Sequence, residues 1–209
     1  MKHRIPKILI LMSTGYAFVM LAHWPLGFTF FTQLSNLFAA LVALGQLTPR
    51  WQNRLTVAKY AATVSICVTF AVYLTVLAPI SPGGILAAYA EDHWASLCLH
   101  VITPVCCTLD FMLNDAPTRH WRRRDALWAL LPPVAWLLLI LALGQLGLRW
   151  HGMAAPYPFL NYAGPAGWFG WMPETAGIGA FYAVLALLAL FLLVSHLLLR
   201  LARACRSKG

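Results

Sequence analysis

Residues His93 to Asn114 read HWASLCLHVITPVCCTLDFMLN, a run long and apolar enough to cross a bilayer as a helix, yet with His100 and Asp110 placed where hydrocarbon should be. An ionisable side chain in a spanning helix costs roughly 2.5 to 3.5 kcal/mol even on a lenient insertion scale, so such groups turn to a protein interior or a water-lined cavity. Two on one helix mark this segment as the wall of a polar site.

The flanking sequence fits the same setting. With 61% hydrophobic and 10% charged residues over 209 positions, the chain is too apolar for an ordinary soluble domain. Windows of about 20 apolar residues, enough for roughly 30 Å of hydrocarbon, fall at about 5–24, 31–48, 57–79, 93–114, 126–147 and 177–200. The expectation is an all-α, polytopic bundle of six transmembrane helices forming a single domain over 1–209, because strand-period alternation is absent and a backbone in lipid must bond to itself. The net charge of +9 is a topology signal: of the fifteen lysines and arginines, all but Arg149 fall on alternate connections, which places both termini in the cytoplasm. A nucleic-acid partner is thereby disfavoured, and the RHWRRRD cluster at 119–125 reads as an anchor beside anionic headgroups. The first span follows a basic start but lacks a small-x-small cleavage site, so an uncleaved helix is expected. Cys67, Cys98, Cys106, Cys107 and Cys205 form no CxxC pair, and neither a disulfide framework nor a zinc site is expected.

The second span opens with Thr32-Gln33-Leu34-Ser35-Asn36, and Thr32, Ser35 and Asn36 at i, i+3 and i+4 share one face of its first turn. Spans two and four run in the same direction, so Thr32 and His100 differ in depth by only about 5 to 10 Å. A threonine hydroxyl becomes a nucleophile when a neighbour accepts its proton, and histidine is the side chain best poised to do so. The bland alternatives are a threonine N-cap and a structural histidine bonding a neighbouring helix. Asp110 lies about 15 Å below His100 and roughly 80° around the helix, too far to orient it. It is expected to serve structurally, paired with an arginine of the next loop or capping a helix contact. Nearer candidates to orient His100 are Asn36, Tyr157, Asn161 and the Glu91-Asp92 pair. His23, His93 and His151, with Glu174, share the outer half with His100, but no paired-histidine signature supports a metal, and no metal or cofactor is expected. His3, His120 and His196 fall on the inner side. Pro132-Pro133 marks a kink or a late helix start, and the aromatic 148–176 connection is expected to fold onto the outer mouth.

FFTQLSN at the second span, His100 with Asp110 ten residues on, and YPFLNYAGP at 157–165 resemble the androgen-induced, FAR-type family of six-span membrane proteins and its bacterial relatives. The resemblance implies a threonine hydrolase acting on fatty-acid esters of hydroxy fatty acids, with Thr32 as nucleophile and His100 as catalytic histidine. It sets Asp110 in the place of a family glutamate and matches Tyr157, Pro158, Phe159 and Leu160 to the motif before the last span. Three positions depart: Asn161 replaces an acid, Pro104 is displaced from the residue after the histidine, and Ser96 replaces an asparagine.

The expected function is an integral membrane lipid hydrolase working near the outer leaflet of a bacterial inner membrane, with membrane lipid and a lipid ester as partners. Thr32 and His100 carry the chemistry; Ser35, Asn36, Tyr157, Phe159 and Asn161 bind or orient. Oligomeric state is left open. The alternatives are a non-enzymatic lipid- or small-molecule-binding protein or transporter using the same pocket, and a haem or quinone protein.

Overall fold

A computed structural model describes residues 4–172 and 177–206; Lys2, His3, Glu174 and Lys208 lie outside the described residues. Of the described residues, 79% are helical. Its helices are α1 (Ile5–Met20), α2 (Phe31–Gln46), the short α3 (Pro49–Gln52), α4 (Thr56–Val72), α5 (Gly84–Leu97), α6 (Thr103–Asp110), α7 (Leu131–Gln145) and α8 (Ala180–Arg206). Joined to the tighter or wider turns that continue them, five are long and apolar enough to cross a membrane: Ile5–His23, Thr56–Ile80, Gly84–Thr118, Arg123–Gln145 and Ala180–Ala204. The second expected span differs. Its helix α2 has 16 residues, about 24 Å at 1.5 Å per residue, shorter than the hydrocarbon layer it was expected to cross.

Proline placement shapes the rest. Pro132 and Pro133 stand at the start of α7, where a missing N–H costs nothing, so the pair is a late helix start following a 3-10 turn over Arg123–Leu130. Three other prolines sit inside long helices, and each follows a π turn by two residues: Tyr73–Leu77 before Pro79, Cys98–Ile102 before Pro104, and Phe111–Asp115 before Pro117. A proline removes the bond to the carbonyl four residues back and crowds it. Those carbonyls belong to Thr75, His100 and Leu113, the middle residue of each π turn. The wider turn gives the stranded carbonyl room.

The fourth expected span starts earlier than the sequence predicts. Residues 84–90 are already helical, and the break falls at Glu91–Trp94, where Asp92, His93 and Trp94 take φ of 50, 56 and 69°. Left-handed backbone costs a non-glycine residue roughly 1 to 2 kcal/mol, so the helix is re-aimed here at a local cost. The outer connection also carries a two-residue antiparallel pairing, β1 (Trp171–Met172) with β2 (Gly177–Ile178).

At the centre α1, α2, α4 and α6 meet through Ile10, Ala39, Ala43, Ala62, Ile66 and Cys107, and these small residues let the backbones approach closely. Toward the end that carries both described termini, Tyr60, Phe111, Trp121, Phe191 and Leu199 pack together. At the opposite end Trp136, Ile140, Trp150 and Leu160 join α7 to the 148–160 segment. Leu41, Leu113, Leu138, Leu193 and Leu201 stay exposed, as lipid-facing positions do.

Asp110 is fully buried, and its partners correct the expectation of a loop arginine. Lys7 of α1 lies 2.6 Å from one carboxylate oxygen and Lys59 of α4 lies 2.5 Å from the other, with side-chain exposures of 3% or less. Asn114 donates to the same carboxylate at 2.7 Å. Arg119, the first arginine after the span, pairs with Asp125 at 3.5 Å. The structural role expected of Asp110 therefore takes the form of a three-helix ionic tie.

Candidate functional site

Thr32 is the second residue of α2. The N-cap is Phe30, whose extended backbone turns the chain into the helix without any side-chain cap. Thr32 is thus not a capping threonine, and its hydroxyl has one polar neighbour among the described residues, the Tyr157 hydroxyl at 3.5 Å. The first N–H groups of a helix have no intrahelical partner. Those of Phe31 and Thr32 lie at the N-terminal end of α2 beside the Tyr157 hydroxyl.

His100 sits in the π turn before Pro104 and is 7% exposed. Its ring stacks on Tyr73 with centroids 3.6 Å apart and planes 13° apart. Tyr73 is itself held by its hydroxyl, which donates to the Ala88 carbonyl at 2.8 Å and lies 2.7 Å from Ser96 Oγ. The His100 Nδ1 is buried without a hydrogen-bond partner among the described residues. The ring is oriented by stacking, a partner that sequence reasoning missed.

Thr32 and His100 line one cavity, together with Tyr157 and Phe159, between α2, α4, α7 and α8. Apart from Thr32, Thr69, His100 and Tyr157 the lining is apolar, with Phe31, Val68, Trp136, Leu187 and Phe191 prominent. The space open to the centre of a water molecule is about 70 Å³. At about 10 to 15 Å³ per water this holds a few waters or one ester group with its first methylenes. Between α7 and α8 the contact is made by side chains, with Trp136 and Ile140 of α7 packed near Ala183, Val184 and Leu187 of α8. Leu137, Val184 and Leu188 line the cavity on this side.

The remaining expected site residues take other places. Asn36 is fully buried behind Thr32 and donates to the carbonyls of Thr32 at 2.8 Å and Leu99 at 3.3 Å. It ties the start of α2 to the turn that carries His100. Ser35 bonds the Thr32 carbonyl at 3.0 Å and meets Thr69 Oγ at 3.3 Å. Asn161 is not at the cavity; it accepts from the Ala154 N–H at 3.1 Å and shapes the loop. Tyr157 reaches the threonine, not the histidine, and is packed by Phe30, Trp136 and Phe159 at 5.3 to 5.8 Å. Burial raises its phenol above the ordinary tyrosine range, and the hydrogen bonds at Phe31 and Thr32 oppose this.

The outer histidines do not join His100. His23 lies 3.8 Å from Asp92, with His93 beside them in an open outer groove, and His151 stands over Trp24. Among the described residues no three His, Cys, Asp or Glu side chains converge to hold a metal. No family model, curated protein or solved structure matches the chain.

Proposed function

We propose that the chain is a six-span integral membrane hydrolase of lipid esters, with Thr32 as nucleophile and His100 as general base. The observation that carries this reading is that the two side chains, from separate helices, line one cavity and are held in register by Asn36. In the reaction the Thr32 hydroxyl attacks the ester carbonyl carbon while His100 takes its proton. The carbonyl oxygen, now negative, is met by the Tyr157 hydroxyl and the N–H groups at the start of α2. Collapse breaks the carbon–oxygen bond of the ester, His100 returns the proton to the departing alkoxide, and an acyl-threonine remains. Water then attacks with His100 again as base, releasing the fatty acid and restoring Thr32.

The cavity holds the ester group but not two long chains, so these extend out of it into the bilayer. That arrangement suits a fatty-acid ester of a hydroxy fatty acid, the substrate class implied by the resemblance to the androgen-induced, FAR-type family. The distribution of cations supports both termini in the cytoplasm and α2 as a sixth, short span, with the site toward the outer leaflet of a bacterial inner membrane.

A second reading is a lipid-binding protein without turnover. It is favoured by one observation, the absence of a carboxylate or amide that orients His100 among the described residues. Purified protein in lipid nanodiscs, given a branched fatty-acid ester of a hydroxy fatty acid, separates the two. Turnover that falls by about 10² to 10⁴ in Thr32→Ala and in His100→Ala supports the hydrolase; retention of intact ester by all three proteins refutes it.

A further inference from the structure

The inner end of α7 carries a groove independent of the cavity above. Arg119, Arg124 and Asp125 form its rim, and Leu127, Trp128, Leu130, Leu131 and Val134 its wall. The rim is basic: Arg122, Arg123 and Arg124 are exposed, and the one acid among them is already engaged. Asp125 accepts from the Arg122 N–H at 2.8 Å and pairs with Arg119 at 3.5 Å. Arg119 is braced over the Trp121 ring at 5.3 Å, and its Nε is buried with no hydrogen-bond partner among the described residues. The wall is as exposed as it is apolar, with Leu127 at 61%, Trp128 at 52% and Leu131 at 63%. It runs from the arginines along the first turn of α7.

We propose that this groove seats one anionic glycerophospholipid, its phosphate between Arg119 and Arg124 and an acyl chain along Leu127, Leu131 and Val134. The juxtaposition selects the ligand. Arginine forks match a phosphate, and surplus positive charge prefers an anionic headgroup to a zwitterionic one. A free phosphate would leave the apolar wall unused, whereas a lipid covers both. The Arg123–Leu130 turn packs on α4 and α8 and leads into α7, whose Pro133, Trp136 and Leu137 line the upper cavity. A lipid held here braces one wall of that cavity from below.

Native mass spectrometry of the full chain in detergent, with phosphatidylglycerol or phosphatidylcholine added, tests the proposal. The expected result is one retained phosphatidylglycerol, favoured over phosphatidylcholine by about 25-fold, with the preference falling about fivefold for each arginine removed. Arg124→Gln, at an exposed position that the fold does not depend on, reads this without risk to folding, and the Arg119→Gln/Arg124→Gln pair abolishes the preference. Arg50→Gln, in another connection, leaves it unchanged. Equal retention of the two lipids by the unaltered protein, an Arg124→Gln variant with undiminished preference, or displacement of the lipid by millimolar inorganic phosphate would each overturn it.

Discussion

Replacing Asp110 with asparagine keeps the shape of the side chain and strips its charge, leaving the ammonium groups of Lys7 and Lys59 facing each other in a dry interior. Both lysines contact the carboxylate at 2.5 to 2.6 Å with no more than 3% exposure, so neither escapes to water without unpacking its helix. Removing one partner of a buried ion pair costs about 3 to 5 kcal/mol, because an uncompensated charge is left behind. Here one substitution strands two. At about 2 to 4 °C per kcal/mol for a chain of this size, the melting temperature should fall by roughly 6 to 20 °C in a size-exclusion survival assay on detergent-solubilised protein. Lys7→Met is the informative companion. It leaves Lys59 and Asp110 as a one-to-one pair beside an apolar side chain of similar length, and should cost less than half as much. An Asp110→Asn variant melting within about 2 °C of the unaltered protein, or a Lys7→Met variant less stable than Asp110→Asn, would refute the ionic-tie reasoning.

Pro104→Ala restores an N–H opposite the His100 carbonyl, so the π turn should close to an ordinary helical turn and rotate the imidazole away from the cavity. Hydrolysis should fall by about tenfold or more while thermal stability holds or rises, measured on the same preparation. Tyr157→Phe keeps the ring packing and removes the donor beside Thr32; kcat should drop by about 10² to 10³ with KM little changed. Burial raises the Tyr157 phenol above its ordinary pKa of about 10. The pH–rate profiles of the unaltered protein and Tyr157→Phe should therefore have the same shape well below pH 10. The same direction implies that its contribution to stability is present below about pH 10 and declines at higher pH, where the unfolded chain loses the proton first. Leu188→Trp narrows the cavity that Leu188 lines, and should slow long-chain esters far more than a short-chain ester of the same alcohol, read as a ratio of kcat/KM values.

The membrane class and five of the six apolar windows were legible because each rests on a local property, hydropathy and window length. The YPFL segment was legible as a cavity element through its resemblance, and Tyr157 and Phe159 do line the cavity with Thr32. What escaped depends on which helix faces meet. Lys7 and Lys59 read as cytoplasmic markers because they lie near predicted span ends, yet both turn inward to Asp110. Tyr73 carries no sequence signal of its own within the 57–79 window, and only packing reveals that it stacks on His100. Asn161 seemed placed to orient the histidine, but its amide is consumed by the Ala154 N–H of its own loop. The π turns were readable in principle. Pro104 stands inside a long apolar run and Pro79 at the end of another, and a proline there strands the carbonyl four residues back. For Pro104 that residue is His100.

Labelling by a fluorophosphonate with a long alkyl chain tests the central claim most directly, since it requires Thr32 to be nucleophilic and His100 to make it so. The account predicts a covalent adduct located by peptide mass spectrometry on Thr32, lost in both Thr32→Ala and His100→Ala, with each variant eluting as a folded protein. An adduct on another residue, or undiminished labelling of Thr32 without His100, would contradict it.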